Sequence, residues 1–209
     1  MDFPPNLVRL SPSLFSWSAY EAAVKADLFS SAIITSAGGY LIDPIPLSDI
    51  DAATAAGEAK PVGVVVTNAN HHRAALHYSD KFSVPVFAHP DSFPDQAPLR
   101  FLELADGAKI GGSLEVIKVD GAVAGEIALY DGANGGTFFI GDALINFDPY
   151  GFTFLRRKYC QNEKEMRRSL RKLLAFEAER MLFAHGIPIL TAASDRLREL
   201  INAQRGGPK

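Results

Sequence analysis

The sequence predicts a layered α/β fold, because apolar runs of strand length alternate with stretches of helical periodicity in both halves of the chain. Gly, Pro and Asp punctuate those runs at short intervals, with no repeat, low-complexity block or long linker between them. The chain has 209 residues and is 47% hydrophobic, enough to bury a sizeable core, so residues 1–209 are expected to form one domain.

Taken in order, Val8 to Tyr20 and Ala32 to Ile42 read as strands, the second carrying a Gly38-Gly39 turn and ending in Asp43-Pro44. They predict an opening hairpin meander. Val64-Val65-Val66 is a β-branched run that stops at Thr67, and after it Ala75, Tyr78 and Phe82 share one helical face. Val84 to Ala88, Leu99 to Leu104, Leu114 to Val119, Ile127 to Tyr130 and Thr137 to Ile140 are strand-like and separated by turn residues. Met166, Leu170, Leu173 and Leu174 recur at helical spacing, with Lys164, Arg167, Arg168 and Arg171 on the other faces. That pattern predicts an amphipathic helix over Glu163 to Phe176 whose basic face is a solvated surface. Met181 to Phe183 is a last strand, and Leu197, Leu200 and Ile201 mark a final helix.

Charge and cysteine use narrow the function classes. The formal charge of −3 is spread over both signs, which offers no footprint for nucleic acid or an anionic membrane surface. No stretch stays apolar for the roughly 18 residues of a membrane span. Cys160 has no second thiol for a disulfide or a Cys-rich zinc knuckle, and MDFPPNLVRL lacks the positive start of a signal peptide. A soluble, cytoplasmic protein acting on a small molecule is expected.

Three strand ends carry the chemistry. Thr67-Asn68-Ala69-Asn70-His71-His72 lies between a strand and a helix, where a loop can bring imidazole nitrogens to one cation. Taken alone, a His pair opening a helix reads first as capping and solvated polarity. Asp142, in Gly141-Asp142 after Thr137 to Ile140, can cap a helix, form a turn or bind a cation. His185, in His185-Gly186 after Met181 to Phe183, is either a ligand or a hydrogen-bonded His near the core. The amides of Asn68 and Asn70 suit turn chemistry, with a hydrogen bond to a substrate oxygen or to the His pair as the alternative. His77, inside a helix, and His89, before a Pro-Asp turn, read as structural.

Together these segments resemble the metallo-β-lactamase-fold hydrolases, and among them the glyoxalase II-like (hydroxyacylglutathione hydrolase-like) branch. That family has a T-H-x-H-x-D-H loop, a G-H-x-x-G-E-like turn, a G-D strand end and a G-H-G-like strand end. This sequence has TNANHHR, GAVAGE, IGDAL and FAHGIP in the same order, and its GGYLIDP resembles the family's early hairpin, whose Asp supports the metal loop. The resemblance runs from about Val8 to Ile201 and implies a four-layer αββα sandwich of two mixed β-sheets flanked by helices.

Carried over to this chain, the resemblance puts the first metal site at Asn68, Asn70 and Ala122, which makes it degenerate, because asparagine is a poor zinc ligand and alanine has no donor. The second site falls on His71, His72, Asp142 and His185, with Asp43 supporting the loop. Such a set implies one zinc or iron ion, or an inherited polar cluster that holds none. Four protein ligands fill a tetrahedron, so catalysis would need a five-coordinate site or a displaced ligand. The function implied is one-metal hydrolysis of a thioester, lactone or similar ester. The alternative is a catalytically inactive binding or interaction protein on the same scaffold. Lys158 and Tyr159 lie where glyoxalase II-like enzymes contact substrate, with no motif to assign them a role.

Overall fold

The computed structural model describes residues 7–57 and 60–203, so the MDFPPN stretch at the N-terminus lies outside the described residues. Four strands open the chain as an antiparallel meander: β1 (Val8–Ser11), β2 (Leu14–Glu21), β3 (Ala26–Thr35) and β4 (Gly38–Ile42). After α1 (Asp49–Ala55) come β5 (Gly63–Val65), α2 (Ala75–Phe82), β6 (Val86–Ala88) and β7 (Phe101–Glu103). These later strands add in parallel, completing a seven-stranded sheet in sequence order. The second half supplies β8 (Lys109–Ile110), β9 (Leu114–Lys118), β10 (Ile127–Asp131), β11 (Thr137–Ile140), the hairpin β12 (Leu144–Phe147) and β13 (Gly151–Phe154), α3 (Glu163–Ser169), β14 (Arg180–Phe183) and α4 (Ala193–Ala203). Its five-stranded sheet runs β14-β11-β10-β9-β8, with only the β11–β14 pair parallel.

Alternation along the strands builds the layers, since successive side chains point to opposite faces. Tyr40 and Ile42 pack between the sheets against residues such as Leu129, Phe139 and Leu182, while Leu41 packs outward with Ala52, Ala55, Ala75 and Tyr78 around α1 and α2. In the second sheet Phe139 faces inward, and Phe138 faces outward onto Met166, Leu170, Leu173 and Leu197. The result is the four-layer αββα sandwich that the sequence led us to expect. No helix among the described residues is long and apolar enough to cross a membrane.

Several boundaries differ from the sequence reading. Val8 to Tyr20 is two strands, and the turn after β3 precedes Gly38-Gly39, which instead open β4. The reason is packing: a Cβ on Gly39 would lie 2.4 Å from Ala56 Cα, so the glycine lets the chain after α1 press on the sheet. The helix expected over Glu163 to Phe176 is α-helical only to Ser169 and continues as a 3₁₀ segment over Leu170–Ala175. The tighter winding eclipses positions three apart and sends both Leu170 and Leu173 into the core.

The carboxyl ends of β4 and β5, a parallel pair, deliver Asp43 and Thr67 to one edge of the sandwich. Those of β11 and β14, also parallel, deliver Asp142 and His185. A bond from Phe29 N to Ala184 O, 3.0 Å, joins the two sheets beside this edge.

Candidate metal centre

Asp43 organises the site from below. It is buried and accepts from Thr67 N at 2.8 Å with Oδ1 and from Thr67 Oγ1 at 2.5 Å with Oδ2. The Nδ1 of His71 lies 2.9 Å from Asp43 Oδ2 and 2.9 Å from Thr67 Oγ1. An ionised carboxylate accepts only, and the Thr67 hydroxyl proton is already given to it, so the imidazole proton must sit on Nδ1. That leaves Nε2 of His71 to face the site. It is buried and has no hydrogen-bond partner among the described residues.

Asp142 and His185 complete the group. Asp142 Oδ1 is 3.2 Å from His71 Nε2 and 3.2 Å from His185 Nε2, and one donor atom of each of the three residues lies within 4.8 Å of the others. The other oxygen of Asp142, Oδ2, accepts from Asn70 Nδ2 at 3.2 Å. Asn68 turns away to give Nδ2 to Glu126 Oε2 at 2.7 Å, and its Oδ1 accepts from Asn70 N at 2.9 Å. His71 and Asp142 are buried, whereas the His185 side chain retains 22% of its exposure and marks the solvent side.

Electrostatics follow from this packing. Burial alone would lower the His71 pKa, but Asp43 and then Asp142 outweigh it and raise it to about 9. Burial likewise opposes ionised Asp43 and Asp142. The adjacent His71 overcomes it for both, with His185 also bonding Asp142, so Asp43 is lowered and Asp142 lies well below the carboxylate range. Glu126 goes the other way, pushed up to about 8 by burial and by Asp142. The edge gathers two ionised carboxylates beside the Arg73 guanidinium, and a proton on His71, or a cation beside it, completes their balance.

Among the residues expected as ligands, His71, Asp142 and His185 come together and His72 does not. His72 Nε2 lies 2.6 Å from Ser92 O, which can only accept, and its ring stacks on Phe93 at 4.1 Å between centroids. Adjacent side chains on this loop point in opposite directions, and the apolar face of Phe93 takes the His72 ring. Motif register points elsewhere: counted from Thr67, the family's Asp falls on His72 and its last His on Arg73, one residue beyond the placement at His71 and His72, so His71 stands at a spacer position of the motif and reaches the group through the direction of its side chain. Ala122 is fully buried in the outer core of the second sheet. Two site residues were not singled out from sequence, Glu126 and Arg73. Each closes a quoted motif, GAVAGE and TNANHHR, and that position was the available signal. His89 caps the turn at Pro90–Ser92 by accepting from Asp91 N, Lys158 lies over the ring of Tyr159, and both residues of that pair are exposed.

A His-Asp-His group that could hold a metal ion thus sits at the carboxyl edge of a four-layer αββα sandwich. The model of the metallo-beta-lactamase superfamily matches residues 7–204, and the chain belongs to that superfamily. Solved structures of the same fold include the DIM-1 metallo-beta-lactamase, 15% identical with a TM-score of 0.73, covering 98% of this chain and 100% of that one. FIM-1 from Pseudomonas aeruginosa, solved in its mono-zinc form, is 12% identical with a TM-score of 0.74 and covers 99% of this chain and 98% of its own. A metallo-beta-lactamase family protein from Thermus thermophilus is 18% identical with a TM-score of 0.69, covering 94% of this chain and 81% of its own. A search of curated proteins found no match.

Proposed function

We infer that His71 Nε2, Asp142 Oδ1 and His185 Nε2 hold one zinc or iron ion, and that the protein is a glyoxalase II-like hydrolase of a thioester, lactone or similar small ester in the cytoplasm. The carrying observation is the buried Nε2 of His71, which completes no hydrogen bond of good geometry and lies 3.2 Å from a carboxylate oxygen that also faces His185. Two ligands on a tetrahedral zinc with bonds of 2.0–2.1 Å lie about 3.3 Å apart, close to the 3.2 Å separating Asp142 Oδ1 from each imidazole. Asp43, taking the Nδ1 proton, fixes the tautomer that leaves Nε2 a donor, the carboxylate–histidine support common behind metal-bound imidazoles.

A cation so held supplies Lewis acidity to an acyl carbonyl and acidifies water. Three protein donors leave a coordination position open, so the difficulty of a filled tetrahedron does not arise once His72 is set aside. Asn70 holds the outer oxygen of Asp142 and keeps the inner one toward the imidazoles. The partly exposed edge of His185 is where a substrate approaches. We take the first metal site to be degenerate: Asn68 and Asn70 give their amide protons to Glu126 and Asp142, and Ala122 has no donor. The mono-zinc form of FIM-1 is a precedent for single occupancy in this fold.

A second reading, a non-catalytic binding protein, is favoured by the ease with which the Asp43–His71–Asp142 chain closes on a proton alone. Metal analysis and turnover separate the two. Zinc titration of the chelator-treated chain should saturate at one ion per chain, and hydrolysis of an aryl ester, an acyl thioester or a lactone should appear with that ion and vanish with chelator. No bound metal sinks the first reading. One bound ion without turnover leaves the metal site standing and favours the second.

A further inference from the structure

Arg73 is the least expected residue of the loop. Its backbone is left-handed, φ +38°, a conformation that is strained for a side-chain-bearing residue unless its surroundings hold it there. What holds it is a fork of three bonds. Nη1 donates to Phe29 O at 2.6 Å and to Asp43 O at 3.0 Å, and Nη2 donates to Ala184 O at 3.3 Å. These acceptors belong to β3, to the residue after β4 and to the residue after β14, so one guanidinium ties together both sheets. Asp43 carries the carboxylate behind His71, and Ala184 immediately precedes His185 in the chain. Asp43 is itself left-handed, φ +46°.

Resting on the metal reading above, we propose that Arg73 is a positioning residue of the centre, its fork setting the spacing between His71, through Asp43, and His185. Arginine suits this because its planar fork reaches several acceptors at fixed angles, where lysine offers a point donor. The strands do not depend on it alone. Asp43 O also accepts from Ser30 Oγ at 2.6 Å, and Ala184 O from Phe29 N at 3.0 Å, so the sheets keep their junction when the fork is removed.

The test uses cobalt(II) as the probe, on the full chain and on Arg73→Lys and Arg73→Met. Visible absorption bands report ligand geometry, chelator competition gives affinity, and near-ultraviolet circular dichroism reports the fold. Both variants should keep the native dichroism, bind cobalt about 10- to 100-fold more weakly, as losses behind a metal ligand typically do, and shift the bands. Lysine, retaining the charge without the fork, should rescue little. Native variants with unchanged bands and affinity overturn the proposal and leave the metal site intact. Loss of native dichroism in both also overturns it, because Arg73 is then needed for the fold. Parent protein that binds no cobalt overturns the metal reading itself, before any variant is compared.

Discussion

His71 and His72 are neighbours with opposite assignments, and the difference lies in which nitrogen is committed. His71 spends Nδ1 on Asp43 and presents Nε2 to Asp142, while His72 spends Nε2 on the Ser92 carbonyl. We therefore expect His71→Ala to abolish binding of one cobalt ion and His72→Ala to leave both bands and affinity unchanged. The latter should instead lower stability by about 1–3 kcal/mol, the sum of a modest hydrogen bond and an aromatic stack. Urea unfolding checks the stability and cobalt absorption the binding; a lost spectrum in the His72 variant would return it to the ligand set. Asp43, Asp142 and His185 were legible in the sequence because each directly follows an apolar strand or comes within two residues of one. The choice between His71 and His72 was not, since a loop has no period to fix which side chain turns inward. Glu126 and Arg73 were marked only by their places at the ends of two motifs: their partners are amides and carbonyls distant in sequence, which no local pattern reveals.

At the scale of elements, strands with clean apolar runs were read closely, β11 and β14 above all, while the hairpin of β12 and β13 and the short α1 were missed. Leu144 to Phe154 mixes Asn, Asp, Pro and Gly with its apolar residues and hides the alternation. Yet this hairpin braces the site, because Asn146 bridges to Gly186: Asn146 N donates to His185 O at 3.2 Å, and Asn146 O accepts from Ile187 N at 2.9 Å. Gly186 has φ +120°, and a Cβ there would lie 2.2 Å from Asn146 O and 2.4 Å from Asn146 C, both backbone atoms that cannot swing aside. Gly186→Ala must therefore part β12 from the end of β14, at a cost of about 2–3 kcal/mol from strain and overpacking. For a chain of this size that is a fall of roughly 4–12 °C in Tm. Calorimetry checks the fall, and cobalt affinity should weaken with it because His185 is the adjoining residue. A variant as stable as the parent would show that the hairpin does not brace the edge.

For the whole molecule, the two sheets meet where Asp43, Asp142 and Glu126 are buried together, so the stability of the fold is tied to how that charge is balanced. Without metal, a proton on His71 supplies the balance together with the Arg73 guanidinium. Its pKa is raised from 6.5 to about 9, so its contribution is fully present below pH 6.5 and is lost as pH rises through about 9. Glu126, raised from 4.5 to about 8, acts in the same direction, losing its contribution as pH climbs from 4.5 through 8. Asp43 and Asp142 are lowered below 3.8, so theirs is present above that value and lost in acid. The chelator-treated chain should thus be most stable in mildly acidic solution, and its urea midpoint should fall steadily between pH 6.5 and 9. Zinc reverses the trend, because the proton and the ion compete for Nε2 of His71 and the ion wins as pH rises. Its stabilisation should accordingly be small near about pH 6 and grow toward about pH 9, following the mass-action rise with affinity. Urea unfolding across that range, with zinc and with chelator, measures both curves. A chelator-treated chain whose midpoint stays level or rises would mean that His71 is not protonated in the metal-free fold. Parallel curves with and without zinc would mean that the ion binds somewhere other than His71.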